Sequence, residues 1–248
     1  MLTPEYLLKV AESSEDIAEE LHQDILNRVI ERIMLRLDRG DNYILTAYDK
    51  WQLQVLQDAG YLLEDIQKEI AKKTPLLQQD IAEAMEEAGV KSMEYDNAIY
   101  EAANIATESL EQSPYLIRLM QRNYEKALGE MTNFTRTLAN AAHDTFIQAC
   151  DKAYNLVLSG AVGYSQAVKE VINDIVKDGI YVKYPSGHTD TIETATLRAV
   201  RTGVSQACAD ITEARMEEYD VDLVLVSAHL SARPDHAEWQ GKVYKINK

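Results

Sequence analysis

The stretch Ile17-Ala-Glu-Glu-Leu-His-Gln-Asp-Ile-Leu-Asn-Arg-Val-Ile-Glu-Arg-Ile-Met-Leu-Arg-Leu37 decides the fold class. Ile17, Leu21, Ile25, Val29, Ile33 and Leu37 recur every four residues, a step that drifts about 40° around a helix with each repeat. Leu26, Ile30 and Met34 widen the apolar face, so the helix is expected to pack among several others rather than along one narrow seam. Thr3-Pro4 followed by Glu5 supplies its start, a hydroxyl cap and a proline placed where its missing N–H costs nothing. Gly40 is the expected end.

Working outward, the pattern predicts helices over 42–73, over 75–88 behind a Thr74 cap, and over 92–111. Ser113-Pro114 repeats the hydroxyl-proline start and opens a helix reaching Leu158, with Gly129 as a candidate interruption. Gly160 and Gly163 break it, and 165–177 reads as one more helix closed by Gly179. From Ile180 the pattern changes: Ile180 to Tyr184 is β-prone, Pro185 and Gly187 suit a type I turn, and Thr189 to Thr191 returns as a partner strand. Asp190 with Glu193 predicts a capping box for a helix reaching Tyr219, along which Ala195, Ala199, Gly203 and Ala207 form a row of small side chains. Val221 to Ala228, apolar at successive positions, predicts a strand buried on both faces. Pro234 to Gln240 predicts a short helix ended by Gly241, and Lys242 to Ile246 a second strand. The fold class is therefore mainly α, with a long-helix amino-terminal region (1–178) followed by a small α+β carboxy-terminal module (179–248) centred on the Ala/Gly-rich helix.

Composition narrows the function. The chain is 46% hydrophobic and 27% charged, with two Phe, two Trp and fourteen Tyr, so an aliphatic core is expected. The net charge of −16 lies wholly on residues 1–218, because 219–248 carry four basic and four acidic side chains. General nucleic-acid binding runs on Lys and Arg neutralising phosphates, so any DNA contact is expected to be local and confined to the carboxy-terminal end. Cys150 and Cys208 are far apart within helical patterns and read as two buried thiols of a reducing compartment, without a disulfide framework. Met1 to Leu21 lacks signal-peptide character, and no apolar run approaches a membrane span.

The chemically densest segment is Ser227-Ala-His229-Leu-Ser-Ala-Arg233-Pro234-Asp235-His236-Ala-Glu238-Trp239-Gln240-Gly241-Lys242. His229, Asp235 and His236 are possible metal ligands by type, but no second Cys or His cluster completes a tetrahedral set. The preferred reading is structural: His229 and the guanidinium of Arg233 pin loop carbonyls, His236 and Gln240 share a helix face, and Trp239 supplies apolar bulk. Arg198, Arg201, Thr202 and Gln206 form the polar side of the Ala/Gly-rich helix, a solvated face before a catalytic one. Glu19 to His22 is a lone Glu-x-x-His where a di-iron site needs a pair, and Gly160-Ala-Val-Gly163 is too little for a phosphate loop.

The order Ser227-x-His229, Arg233-Pro234-x-His236, Trp239-Gln240-Gly241-Lys242, with Leu2-Thr-Pro-Glu-Tyr6, Tyr184-Pro-Ser-Gly187 and Arg198-x-x-Arg201-Thr202-Gly203-Val204, resembles the phage minor capsid protein 2 family. More distantly it resembles the Mu F-like head morphogenesis proteins. The resemblance implies a non-enzymatic structural protein of the virion, assembled in the bacterial host cytoplasm, present in few copies and associated with the portal vertex. It implies portal or capsid proteins as partners, self-association as a further contact, no membrane and no cofactor. Mu F-type proteins carry toxin domains, but the Ser-Thr-Ser and Glu-x-Glu elements that the ADP-ribosyltransferase class resembles are absent from this sequence. Two alternatives stand beside the structural reading: a metal-dependent or toxin-type enzyme module centred on His229, Arg233 and His236, and a helical adaptor unrelated to phage. Family chains continue past Trp-Gln-Gly-Lys, whereas this sequence stops at Lys248, and a longer form is expected to have room for an activity absent here.

Overall fold

The computed structural model describes residues 3–37, 48–228 and 233–246. The expected helix end at Gly40 and helix start at Asn42 lie outside them. Helix α1 (Pro4–Leu37) begins as read, with the Tyr6 N–H donating to the Thr3 hydroxyl at 3.2 Å. Helix α2 is a single helix, Tyr48–Ala102, where the sequence pattern predicts three. Pro75 sits inside it, and the Thr74 hydroxyl, expected to cap a new helix, instead donates back to the Ile70 carbonyl at 2.8 Å. An interior proline costs about 3 kcal/mol. Ile66, Leu77, Ile81 and Met85 bury one continuous face across it, and that burial outweighs the break. The helix stops at Ala102 rather than Glu111 because Asn104 turns left-handed at φ 61°, and a short 3-10 turn (Leu110–Gln112) follows.

Helix α3 (Pro114–Leu158) starts on Ser113, whose side chain accepts from the Leu116 N–H, and runs through Gly129 without interruption. Helix α4 (Tyr164–Asp178) ends at Gly179, φ 74°. Strands β1 (Val182–Lys183) and β2 (Thr189–Asp190) pair antiparallel around the expected turn, closed by the Gly187 N–H donating to the Tyr184 carbonyl at 2.9 Å. Helix α5 (Ile192–Glu218) is capped by Thr191, not by Asp190 as the capping-box pattern suggests. Strand β3 (Leu223–Leu225), helix α6 (Pro234–Ala237) and strand β4 (Val243–Lys245) complete the order, with β3 and β4 antiparallel.

Helices α1 and α2 lie antiparallel, as a ladder of ion pairs shows: Arg28 to Glu69 at 2.8 Å, Arg32 to Asp65 at 2.6 Å and Arg36 to Asp58 at 2.9 Å. Beneath it the core gathers Leu21, Ile25, Val29 and Ile33 of α1, Trp51 and Leu62 of α2, and Leu138 and Phe146 of α3. Trp51 lies 5.2 Å from the Tyr154 ring and carries the buried Arg36 guanidinium 4.5 Å above its own. Ile180, Val182, Ile192 and Ala195 belong to the same buried cluster, so packing is continuous across the expected boundary at 178/179. Helix α5 packs against α1, α2 and α3. Its small-residue row does what the spacing suggests, since a Cβ at Gly203 would stand 3.0 Å from Met85 Cε and 3.5 Å from Ala127 Cβ.

Two expected outcomes follow from this packing. Gly203→Ala is nearly neutral, because the methionine end can move and alanine favours the helix, whereas Gly203→Leu lowers stability by about 1–3 kcal/mol in urea unfolding. Cys150 and Cys208 are free and buried, and burial pushes their thiols up to about 12 and about 11. Neither should react with a disulfide reagent at pH 8 until the chain is unfolded; rapid labelling of the native protein would contradict the packing.

Candidate functional site

The structure joins two segments that the sequence keeps apart. Tyr184 and His188 face each other across the β1–β2 turn, their rings stacked with centroids 5.8 Å apart, and Phe134 of α3 meets Tyr184 edge-on at 6.3 Å. The turn thereby presents Asp190, which is buried, to Arg198 on the second turn of α5. Arg198 Nη1 reaches Asp190 Oδ2 at 2.7 Å and Nη2 donates to Oδ1 at 3.2 Å, while His188 Nε2 lies 3.0 Å from Oδ1. Burial pushes the Asp190 carboxyl up, but its hydrogen bonds to His188, Tyr184 and Arg198 and the Arg198 charge outweigh that and hold it below the usual carboxylate range. The Asp190 cluster thus ties the hairpin to α5 and α3. Of the other residues expected beside Arg198, Thr202 is exposed, Gly203 serves helix packing, and Arg201 has its Nε buried without a described partner.

At the other end of α5 lies a residue that sequence reading passed over. Arg215 is 1% exposed. Its guanidinium lies 5.5 Å from the Tyr100 ring centroid and 5.3 Å from that of Tyr219, donates to the Glu108 carbonyl at 3.3 Å, and also bonds Asn97 Oδ1. Beside it Thr212 donates to Asp96 at 2.8 Å, and burial pushes that carboxyl up. Arg215 therefore fixes the chain between α2 and α3 onto the end of α5. The available signal was Arg215 four residues before Tyr219, a spacing that puts both on one helix face.

The described part of the terminal motif, from Arg233 to Lys242, is largely exposed. His229 lies outside the described residues, as do the loop carbonyls that Arg233 was expected to pin. Arg233 occupies the N-cap position of α6 without capping it through its side chain, and its carbonyl accepts from the His236 and Ala237 N–H groups at 2.9 Å each. Pro234 takes the first helical position, and the helix ends at Ala237, so His236 and Gln240 are not on one continuous helix. His236 is exposed and stands 3.8 Å from Asp235. Trp239 is 53% exposed, resting 5.7 Å from the Tyr244 ring, so the large penalty for losing a buried Trp does not apply. Gly241, φ 67°, donates its N–H to the Val226 carbonyl at 2.8 Å and closes the β3–β4 hairpin, while Ser227 lies half-buried just beyond it. The expected burial of both faces of β3 is not found: Leu223 and Leu225 are 55% and 61% exposed, and Val243 opposite is 61% exposed. The run stays exposed because, among the described residues, the two-stranded hairpin has no second layer over it.

Among the described residues no group of three or more His, Cys, Asp or Glu side chains is placed to hold a metal ion, and no helix is long and apolar enough to cross a membrane. Long packed helices, side-chain networks that fasten segments together and a terminal motif whose described residues are largely exposed make up the chain. The chain belongs to the phage minor capsid protein 2 family, whose profile matches residues 2–248. It is also similar to a protein named "Structural protein" of Lactococcus phage LL-H, 20% identical over 239 residues that cover 93% of this chain and 64% of the relative. The chain thus spans under two thirds of that relative's length. No solved structure matches it.

The Asp190 network makes a pH-dependent prediction. Because the folded carboxyl is held low, its contribution is present above the ordinary carboxylate value near pH 4 and is lost as pH falls through the depressed one. Asp190→Asn should cost about 1–2 kcal/mol at pH 7, less than a fully buried pair because Arg198 and His188 are half-exposed. The difference from the unsubstituted protein should shrink below about pH 4 in urea titrations followed by circular dichroism. A gap that stays constant to pH 3 would show that shape, not charge, holds the hairpin.

Proposed function

We propose that the protein is a minor structural component of a tailed-phage head, placed at the portal vertex in few copies and acting in head assembly or genome delivery. The observation that carries the reading is the family match across residues 2–248. Physical features support it. Helices of 34, 55 and 45 residues form an elongated surface suited to lying against neighbouring subunits. Its −16 charge disfavours general contact with the genome and favours contact with protein. Leu223, Leu225, Val243 and Trp239 expose apolar surface at one end of the chain, the kind of patch that marks a protein contact. We assign this patch, with Arg233 and His236 beside it, to portal or capsid protein, and assembly to the host cytoplasm.

The test is chemical cross-linking of purified particles followed by mass spectrometry, with the gene deleted and supplied in trans. The expected result is the chain present at a small number of copies per particle, cross-linked through Lys242 or Lys245 to portal or capsid protein, with Leu225→Lys lowering incorporation at least about tenfold, the equivalent of ~1.4 kcal/mol. Normal particles lacking the chain, or cross-links confined to non-virion proteins, would reject the reading.

A further inference from the structure

Near its start, helix α2 has a solvent face that its charge-rich remainder lacks. Residues 51–63 hold one charged side chain, Asp58, and Arg36 takes it up at 2.9 Å. Trp51, Val55, Ala59 and Leu62 serve the core. Leu53, Leu56 and Tyr61 point away from it, each more than half exposed. Lys50, Gln57, Gly60 and Glu64 are exposed beside them. The outer face of a helix is ordinarily polar and charged, whereas an uncharged centre with leucine and tyrosine, bordered by charge, has the composition of a contact surface.

The spacing on this face is that of a seam. Lys50, Leu53, Gln57, Gly60 and Glu64 follow one another at intervals of three and four, the pattern of a helix that packs lengthwise against another. Glycine weakens a helix interior, and nothing in this chain uses the room it leaves, since a Cβ at Gly60 would meet no atom within 4 Å. The seam is also self-complementary. Lys50 and Glu64 stand seven residues to either side of Gln57 with opposite charge, and neither is engaged in an ion pair among the described residues. Turning a second copy end for end about a two-fold axis through Gln57 sets Lys50 of each copy over Glu64 of the other and brings Leu56 to Leu56. Leu53 of each then enters the hole bounded by Gln57, Gly60, Tyr61 and Glu64 of the other, with the glycine as its floor.

We propose that the protein pairs with a second copy of itself through this face, α2 against α2, antiparallel and centred on Gln57. Two chains of net charge −16 repel over most of their surface; along this seam the exposed charges balance, one Lys50 to one Glu64 in each copy. The face lies at the end of the bundle where Trp51 meets Tyr154, and the β3–β4 hairpin follows the opposite end, where Arg215 meets Tyr100. An antiparallel pair therefore carries its two hairpins at its far ends, free for other contacts. The inference stands apart from the portal or capsid contact assigned to the hairpin, and either can fail alone.

Sedimentation velocity of the full chain tests it. A contact of about four helical turns lies at the low end of interface size, so a monomer–dimer equilibrium with a dissociation constant on the order of 10–100 µM is expected. Lys50→Glu and Glu64→Lys should each weaken it at least about tenfold, and the double variant should return it to within about threefold, because the reversed charges meet again. Gly60→Leu fills the hole and should weaken pairing without lowering the melting temperature of the monomer, since the added side chain meets nothing in its own chain. Gln57→Cys should cross-link to itself on mild oxidation, and Gln79→Cys, exposed on α2 beyond the overlap, should not; the native thiols are buried. A monomer at every concentration up to about ten times that constant, single reversals without effect, a double variant that stays weak, or no Gln57→Cys cross-link would overturn the pairing. So would a monomeric chain in which Leu53→Lys lowers incorporation into particles, which gives the face to another virion protein.

Discussion

The architecture hangs on the register between α1 and α2, and that register is set by where one buried cation finds its partner. Arg36 is 2% exposed, pressed on the Trp51 ring and bonded to Asp58. Sliding α2 by a turn would leave a buried guanidinium without its carboxylate, at a cost of about 3–5 kcal/mol. The Arg28–Glu69 and Arg32–Asp65 pairs, partly open to solvent, are worth about 0–1 kcal/mol each and reinforce the same alignment. Stability itself comes from the apolar faces beneath; the ladder selects which of several similar overlaps is adopted. Once it is chosen, Trp51 meets Tyr154.

Helix α5 then acts as the spine against which the other long helices close. Its small residues let α2 and α3 approach near Gly203, the Asp190 cluster secures its beginning to the β1–β2 hairpin, and Arg215 secures its end to the segment after α2. The two anchors differ in kind. Asp190 is a buried anion served by partly exposed donors, whereas Arg215 is a buried cation held by aromatic faces and neutral oxygens.

Much of this was readable beforehand. The hydroxyl-proline starts at Thr3 and Ser113, the glycine stop at Gly179, and the turn at Pro185 to Gly187 are local devices that work within a few residues. Three readings failed for one reason, that a local signal was overruled from a distance. Thr74-Pro75 looks like a helix start, yet the face from Ile66 to Ile81 is buried on both sides of it. Asp190 has the spacing of a cap, yet Arg198 and His188 offer its carboxylate stronger partners, and Thr191 caps instead. The apolar run from Val221 looks like an interior strand, yet among the described residues it pairs only with β4 and leaves Leu223 and Leu225 in solvent. Arg215 was missed because its one local signal, Tyr219 four residues on, does not reveal the partners Tyr100, Asn97 and Glu108 that come from more than a hundred residues away.

The sequence by itself determined the mainly helical class, most helix ends and the acidic body, because each is written in short-range spacing or in composition. The tertiary structure alone decided which charges are buried, that α2 is one helix, that α5 is shared by the whole bundle, and that the described part of the terminal motif is largely exposed. Those outcomes depend on which side chains meet across distances of tens to more than a hundred residues. Burial and pairing energies there exceed the local preferences that a linear reading can weigh.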